Sequence, residues 1–194
     1  MIGVVLMGGK SRRMGTDKAM LPWLDKPLWS HMASLLSEVC DEVHLSVNEN
    51  QLISHTFPYS AITDLYPGEG PAGAMVSCYI ELRTPLFFLS CDMPKITVAD
   101  LGLLQNHYLA HDDGLTMYYN EDRNCYEPVC SVWGTQKLNR LVDFFIKGGR
   151  SLQAFLDSFP PEKLLPENPT CLENINTPES YHRLVHNPAT EIRF

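Results

Sequence analysis

The chain opens on an apolar run, IGVVLM at residues 2–7, rich in β-branched side chains and without polar alternation. That is the pattern of a strand covered on both faces, as in a parallel sheet. It stops at Gly8 and Gly9. After a polar loop, Pro27 opens a predicted helix over 27–39, with Leu28, Met32, Leu35 and Leu36 near helical spacing. Residues 43–47 alternate as a second strand ending at Asn48, and 61–63 read as a third, leading into the turn-rich DLYPGEGPAG of 64–73. A helix is predicted over 74–82, then a buried strand, LFFLS, at 86–90, followed at once by Cys91, Asp92, Met93 and Pro94. Residues 101–110 read as a helix, and 115–119 with 126–133 as strands around the polar turn NEDRN. Further helices are predicted at 136–146 and 152–156, with FPPEKLLPENP (159–169) as loop and Pro178 as the first residue of a last helix.

Strands that alternate with helices predict an α/β fold of three layers, α/β/α, around a mostly parallel sheet. Ligands of such sheets bind beyond the carboxyl ends of the strands, where the pattern places Gly8, Asn48, Asp64 and Asp92. With 194 residues and no internal repeat or linker, one domain is expected over 1–194. A hydrophobic content of 44% and a charged content of 20% suit a soluble globular chain. No run approaches the roughly 18 apolar residues of a membrane span, and the short apolar start lacks a basic region before it, so the expected compartment is the cytoplasm. Six cysteines show no CxxC spacing, and most read as small buried hydrophobes. His107 and His111 share a helical spacing, but no Glu stands beside the first as in HExxH, which argues against a zinc site.

A net charge of −8 argues against a nucleic-acid surface, which needs clustered Lys and Arg. The distribution is more informative. Lys10, Arg12, Arg13, Lys18 and Lys26 fall in the first 26 positions, opposed only by Asp17 and Asp25, so a small anionic ligand such as a triphosphate is expected there. In LMGGKSRRMGTDKAMLP (6–22), paired glycines after a strand let the backbone approach a ligand and turn amides toward phosphate oxygens. Arg12, Arg13 and Lys18 add mobile positive charge. The stretch is neither GxxxxGK[ST] nor GxGxxG, so the P-loop and dinucleotide fingerprints fail. A glycine turn flanked by solvated basic residues is the plainer alternative. Asp92 at a strand end is a carboxylate suited to Mg²⁺, which takes oxygen ligands and bridges one or two carboxylates to phosphates; without a partner motif it would be a turn residue. Asn174 and Asn176 precede Pro178 and Thr177, which also suits helix capping.

These residues resemble the molybdenum cofactor guanylyltransferase family, known as MobA, whose N-terminal pattern is LAGGxSxRMGxDKxLL. Leu6, Gly8, Gly9, Ser11, Arg13, Met14, Gly15, Asp17, Lys18 and Leu21 match it. The likeness continues in GPAG (70–73), in CDMP around Asp92 and in NINTPE (174–179), four blocks in order. Glu127 and Pro128 in YEPVCSVW are also similar to a family strand, although a buried edge strand explains them nearly as well. The resemblance implies a nucleotidyltransferase (Rossmann-like) fold, with the N-terminal half binding nucleotide and the C-terminal half the acceptor. It implies Mg²⁺-dependent transfer of GMP from GTP to molybdenum-bearing molybdopterin, with release of pyrophosphate. Lys18, Arg13 and Asp92 would be the catalytic residues and Asp92 the Mg²⁺ ligand. Leu6, Met7, Gly8 and Gly9 would contact the nucleotide through the backbone, Asn48 and Asp64 would contact the nucleoside, and Asn176 the acceptor.

The implied partners are GTP and molybdopterin, with cofactor-delivery or acceptor proteins, no nucleic acid and no membrane, in a monomer or weak homo-oligomer. Met7 stands where the family has Ala, and Ala72 where it has Leu. The first adds bulk near the base and the second removes it, which leaves base preference open. A related cytidylyl- or sugar-phosphate nucleotidyltransferase and a catalytically silent nucleotide-binding regulatory module remain as alternatives. Sugar enzymes usually carry a GTRL-type loop, and a silent module would be expected to lack Lys18 or Asp92.

Overall fold

The computed structural model describes residues 1–8, 17–111 and 114–186. Its strands are β1 (Ile2–Leu6), β2 (Pro22–Trp23), β3 (Lys26–Pro27), β4 (Glu42–Val47), β5 (Ser60–Thr63), β6 (Leu86–Ser90), β7 (Leu115–Asn120) and β8 (Cys125–Trp133). Its α-helices are α1 (Leu28–Ser37), α2 (Glu49–Ser54), α3 (Gly70–Leu82), α4 (Val98–Ala110), α5 (Thr135–Ile146), α6 (Leu152–Ser158) and α7 (Pro178–His186). Among the described residues, six strands form one sheet in the order β5-β4-β1-β6-β8-β7. β5, β4, β1 and β6 run parallel, while β8 lies antiparallel between β6 and β7.

Helices cover both faces, and the sequence of each central strand reflects it. In β1, Val5 packs into one apolar cluster with Met32 and Leu36 of α1 and Leu101 and Leu104 of α4. Its neighbours Val4 and Leu6 pack on the other face with Met75 and Tyr79 of α3 and Leu138 and Leu141 of α5. β6 divides likewise, Phe87 and Leu89 to the first cluster and Leu86 and Phe88 to the second, all four fully buried. Period-two side-chain alternation with both faces buried is why these runs are apolar throughout. Gly3 permits the close approach of α1, since a Cβ there would lie 3.1 Å from Cys40 Sγ and 3.3 Å from Leu36 Cδ1.

Three of the departures from the sequence expectation bear on the site. α2 lies just after the second strand, where no helix is predicted. It is a capped turn rather than an amphipathic stripe: Asn48 and Gln51 form a reciprocal capping box, while Leu52 and Ile53 are exposed. α3 begins at Gly70, inside the turn-rich stretch, because Gly70 (φ +72°) completes the turn and Pro71 is pre-set for a first helical turn. The polar loop holds the short hairpin β2–β3, on which the last helix docks: Trp23, Leu28, Ile175 and Leu184 form a third apolar cluster, and Tyr181 Oη donates to Pro22 O at 2.6 Å.

Among the parallel strands the chain runs β1, β4, β5 on one side and returns to place β6 on the other, so the order reverses between β1 and β6. That reversal opens a crevice beyond the carboxyl ends of β1 and β6.

Candidate active site

Met7 and Gly8 lie directly beyond β1, and Cys91 and Asp92 directly beyond β6. The crossing is tight: Cys91 N donates to Leu6 O at 3.2 Å, and Met7 N donates to Ser46 O at 3.0 Å on the other side. Asn48 and Asp64 follow β4 and β5, with Asp64 N donating to Val47 O at 2.9 Å. All four strand-end positions expected from the sequence therefore share one edge of the sheet. Gly9 and Arg13, with the rest of 9–16, lie outside the described residues.

The segment re-enters at Asp17, whose Oδ1 accepts from Ala19 N at 3.0 Å and caps the 3₁₀ turn Lys18–Met20. That turn delivers Lys18 to the crevice. Lys18 Nζ lies 3.0 Å from Asp92 Oδ2 and 3.1 Å from Asn176 Oδ1, joining residues 74 and 158 positions away. Both partners of the ion pair are largely buried, with side chains 17% and 16% exposed. Ser90 Oγ donates to Asp92 Oδ1 at 2.7 Å, so each carboxylate oxygen has a partner. Asn176 is brought in by the C-terminal segment, where Ile175 N donates to Asp92 O at 2.8 Å and Ser180 accepts from Asn176 N at 3.0 Å.

Gln51 is a contributor that apolar patterning does not reveal. Its buried amide donates to Met7 O at 3.3 Å and to Asp17 Oδ2 at 2.8 Å, while its Oε1 accepts from Asn48 N at 3.0 Å. One side chain thus ties both ends of the glycine-rich segment to the end of β4. The only sequence signal is the capping box, asparagine followed three residues on by glutamine.

Two expected nucleoside contacts are engaged in local structure. Asn48 Oδ1 caps α2 through Gln51 N at 3.0 Å. Asp64 Oδ1 accepts from Tyr66 N at 2.9 Å and lies 3.2 Å from Ser77 Oγ. Met7 is a core residue in the α1 and α4 cluster, so its bulk relative to alanine fills the interior. Ala72 is likewise fully buried, on the α3 face.

Cys91 sits beside Asp92 but does not offer a nucleophile: burial, and then the Asp92 charge, push its thiol well above the usual range. Beside Asn176, an open cleft of about 270 Å³ is lined by Asn120, Asp122, Arg123, Asn174, Asn176 and Arg183 among others. Arg123 pairs with Glu127 and donates to Leu172 O at 3.1 Å. Burial pushes the Glu127 carboxyl up, against the opposing pull of the Arg123 guanidinium. Asn174 Oδ1 is buried with no hydrogen-bond partner among the described residues.

The fold defines the class, a nucleotidyltransferase-type α/β fold, with Gly8, Lys18 and Asp92 gathered where the strand order reverses. A family model described as the MobA-like NTP transferase domain matches residues 3–162, and the chain belongs to that family. A molybdenum cofactor guanylyltransferase from Xanthomonas euvesicatoria pv. vesicatoria is 33% identical over 191 residues, covering 95% of this chain and 94% of the relative. One from Yersinia pestis is 28% identical over 180 residues, covering 91% and 90%. Among solved structures, molybdopterin-guanine dinucleotide biosynthesis protein A from Archaeoglobus fulgidus superposes with a TM-score of 0.75 at 19% identity, covering 96% of this chain and 97% of that one. A CMP:2-keto-3-deoxy-manno-octonic acid synthetase complexed with CTP gives 0.66 at 12% identity, covering 97% of each. These two likenesses establish the fold.

Proposed function

We propose that this chain transfers GMP from GTP to molybdenum-bearing molybdopterin and releases pyrophosphate. The observation that carries the reading is the joining of Lys18, Asp92 and Asn176 at one point, 3.0 and 3.1 Å from the ammonium, in the crevice between β1 and β6. The names of relatives that span nearly the whole chain supply the guanine and the molybdopterin.

The donor set fits Mg²⁺, which prefers oxygen ligands and keeps several waters. Asp92 offers a carboxylate with the oxygens of Ser90 and Asn176 nearby. Asp92 would hold the ion, which would supply charge neutralisation at the triphosphate. The chain's own residues do the rest. Gly8 and Gly9 admit the phosphates to the backbone, Arg13 adds charge from the same loop, and Asn48 and Asp64 stand at the base side of the edge.

Lys18 neutralises Asp92 across the crevice. Lys18 would turn to the phosphate oxygens of a bound triphosphate, and Asp92 would then be the carboxylate that holds the cation. The reaction is an in-line displacement: an acceptor oxygen bonds to the α-phosphorus as the bond to the β-phosphate oxygen breaks, and pyrophosphate leaves with that electron pair. Positioning and charge stabilisation dominate such steps. Lys18 offsets the charge that builds as pyrophosphate departs. The cleft beyond Asn176 suits the acceptor, with Arg123 and Arg183 at its lining and the unpartnered Asn174 Oδ1 ready to accept from a ring N–H.

Titration calorimetry of GTP, CTP and ATP with Mg²⁺ present tests the assignment. GTP is expected to bind at least about tenfold more tightly, because a site built for one base edge leaves polar groups unpaired with another. Equal affinities, or a preference for CTP, would overturn the guanine assignment and leave the fold intact.

A further inference from the structure

We infer that His107, His111 and Glu162 form a divalent transition-metal site of the zinc class, remote from the nucleotide edge, that fastens the end of α4 to the segment leading from α6. The two histidines stand one turn apart in the last turn of α4 and just beyond it, and their rings stack with centroids 4.0 Å apart and planes 13° from parallel. Glu162 comes from the loop after α6. Its Oε2 lies 3.7 Å from His107 Nε2 and 4.0 Å from His111 Nε2, and one ligand atom from each of the three residues lies within 4.8 Å of the others.

Hydrogen bonds already hold the far nitrogens of both rings. His111 Nδ1 lies 2.8 Å from His107 O. A carbonyl only accepts, so Nδ1 carries the proton and Nε2 is the nitrogen left to bind a metal. His107 Nδ1 is 3.3 Å from Thr116 Oγ1, which orients the second ring. An imidazole whose far nitrogen is tied to a carbonyl or hydroxyl is the usual state of a ligating histidine. Glu162 is also anchored: two residues on, Leu164 O accepts from Tyr119 N at 2.8 Å and Leu164 bridges to Tyr118.

Two imidazoles and a carboxylate suit Zn²⁺ with water as fourth ligand, and disfavour Mg²⁺ or Ca²⁺, which take oxygens alone. Bonds of ~2.1 Å at tetrahedral angles place ligand atoms about 3.4 Å apart, a few tenths closer than the two distances here. The Glu162 and His111 side chains are 65% and 47% exposed, so metal binding closes the gap by turning them, the two stacked rings tilting so that both Nε2 lone pairs meet one ion. The site is structural rather than catalytic. α4 begins beside the carboxyl ends of the strands and runs back for 13 residues, which at 1.5 Å each is about 20 Å.

The test is a Zn²⁺ titration of the full chain against a chromophoric zinc indicator, with Mg²⁺ in excess. The parent protein carries Asp92→Asn, which removes the carboxylate of the nucleotide edge and makes the result independent of the proposed activity. The parent should bind one Zn²⁺ per chain. His111→Gln and Glu162→Gln, each placed on an exposed side chain, should each weaken binding by tenfold or more, at thermal midpoints in EDTA matching the parent. Co²⁺ should give the intense visible absorption of a four-coordinate site in the parent and lose it in both variants. A parent without stoichiometric Zn²⁺ binding, or a loss below tenfold in both variants, would overturn the site. If one variant fails to fold in EDTA, the other alone decides.

Discussion

At the scale of single residues, the Lys18–Asp92 ion pair is where stability and the proposed chemistry meet. Two opposite charges at 3.0 Å in a largely buried place are compensated only while both are present. Lys18→Ala should lower kcat/KM for GMP transfer by roughly 10² to 10³, the loss typical of one preorganised charge-stabilising donor. It should also lower the unfolding free energy, because the carboxylate is left without its ammonium. Asp92→Asn should abolish turnover, since a neutral amide holds Mg²⁺ poorly, and adding it to Lys18→Ala should restore stability without restoring activity. Pyrophosphate release at fixed Mg²⁺, with urea unfolding of all three variants, decides the matter. Equal rates within a factor of about three for Lys18→Ala, well inside the expected loss, would make the lysine a bystander.

At the scale of elements, the short helix α2 does more than its length suggests. Its capping box brings Gln51 to the two ends of the glycine-rich segment, where the amide serves Met7 O and Asp17 Oδ2 together. Gln51→Ala leaves these acceptors and Asn48 N without that partner, and the cost expected for unmade buried hydrogen bonds is about 1–3 kcal/mol. If the glycine-rich segment binds triphosphate as proposed, the kinetic signature should be a raised KM for GTP with kcat changed much less, because its two ends lose their tether while Lys18 and Asp92 remain. A fall in kcat with KM unchanged would contradict the tethering role. No apolar period marks α2, since Leu52 and Ile53 face solvent; capping chemistry is its only mark in the sequence.

At the scale of the whole molecule, the C-terminal segment closes back on the N-terminal one. Ile175 is fully buried against Trp23, Leu28 and Leu184, and its backbone N–H holds Asp92 O at 2.8 Å. Ile175→Ala removes core methyl groups at an expected cost of about 2–5 kcal/mol, and the same change loosens Asn176 against Lys18. Unfolding in urea should show the loss, and steady-state kinetics should show a higher KM for the molybdopterin acceptor. A variant destabilised to that degree with unaltered acceptor KM would separate the packing role from the positioning one.

Much of this was legible in the chain itself. The apolar runs at 2–7 and 86–90 announced buried central strands because both faces of those strands meet helices, and the residues just past them had to fall at one sheet edge. Lys18 and Asp92 were therefore readable as candidates from position and charge, and the glycine pair from its place after β1. Three things were decided only in three dimensions. The ion pair joins residues 74 apart, the Asn176 contact joins residues 158 apart, and Glu162 meets His107 and His111 from beyond two further helices and two strands. Local sequence carries the period of a helix or strand because neighbours along the chain are neighbours in space. It carries no record of which distant side chains converge, since that depends on the order in which the strands pair and on where the last helix docks.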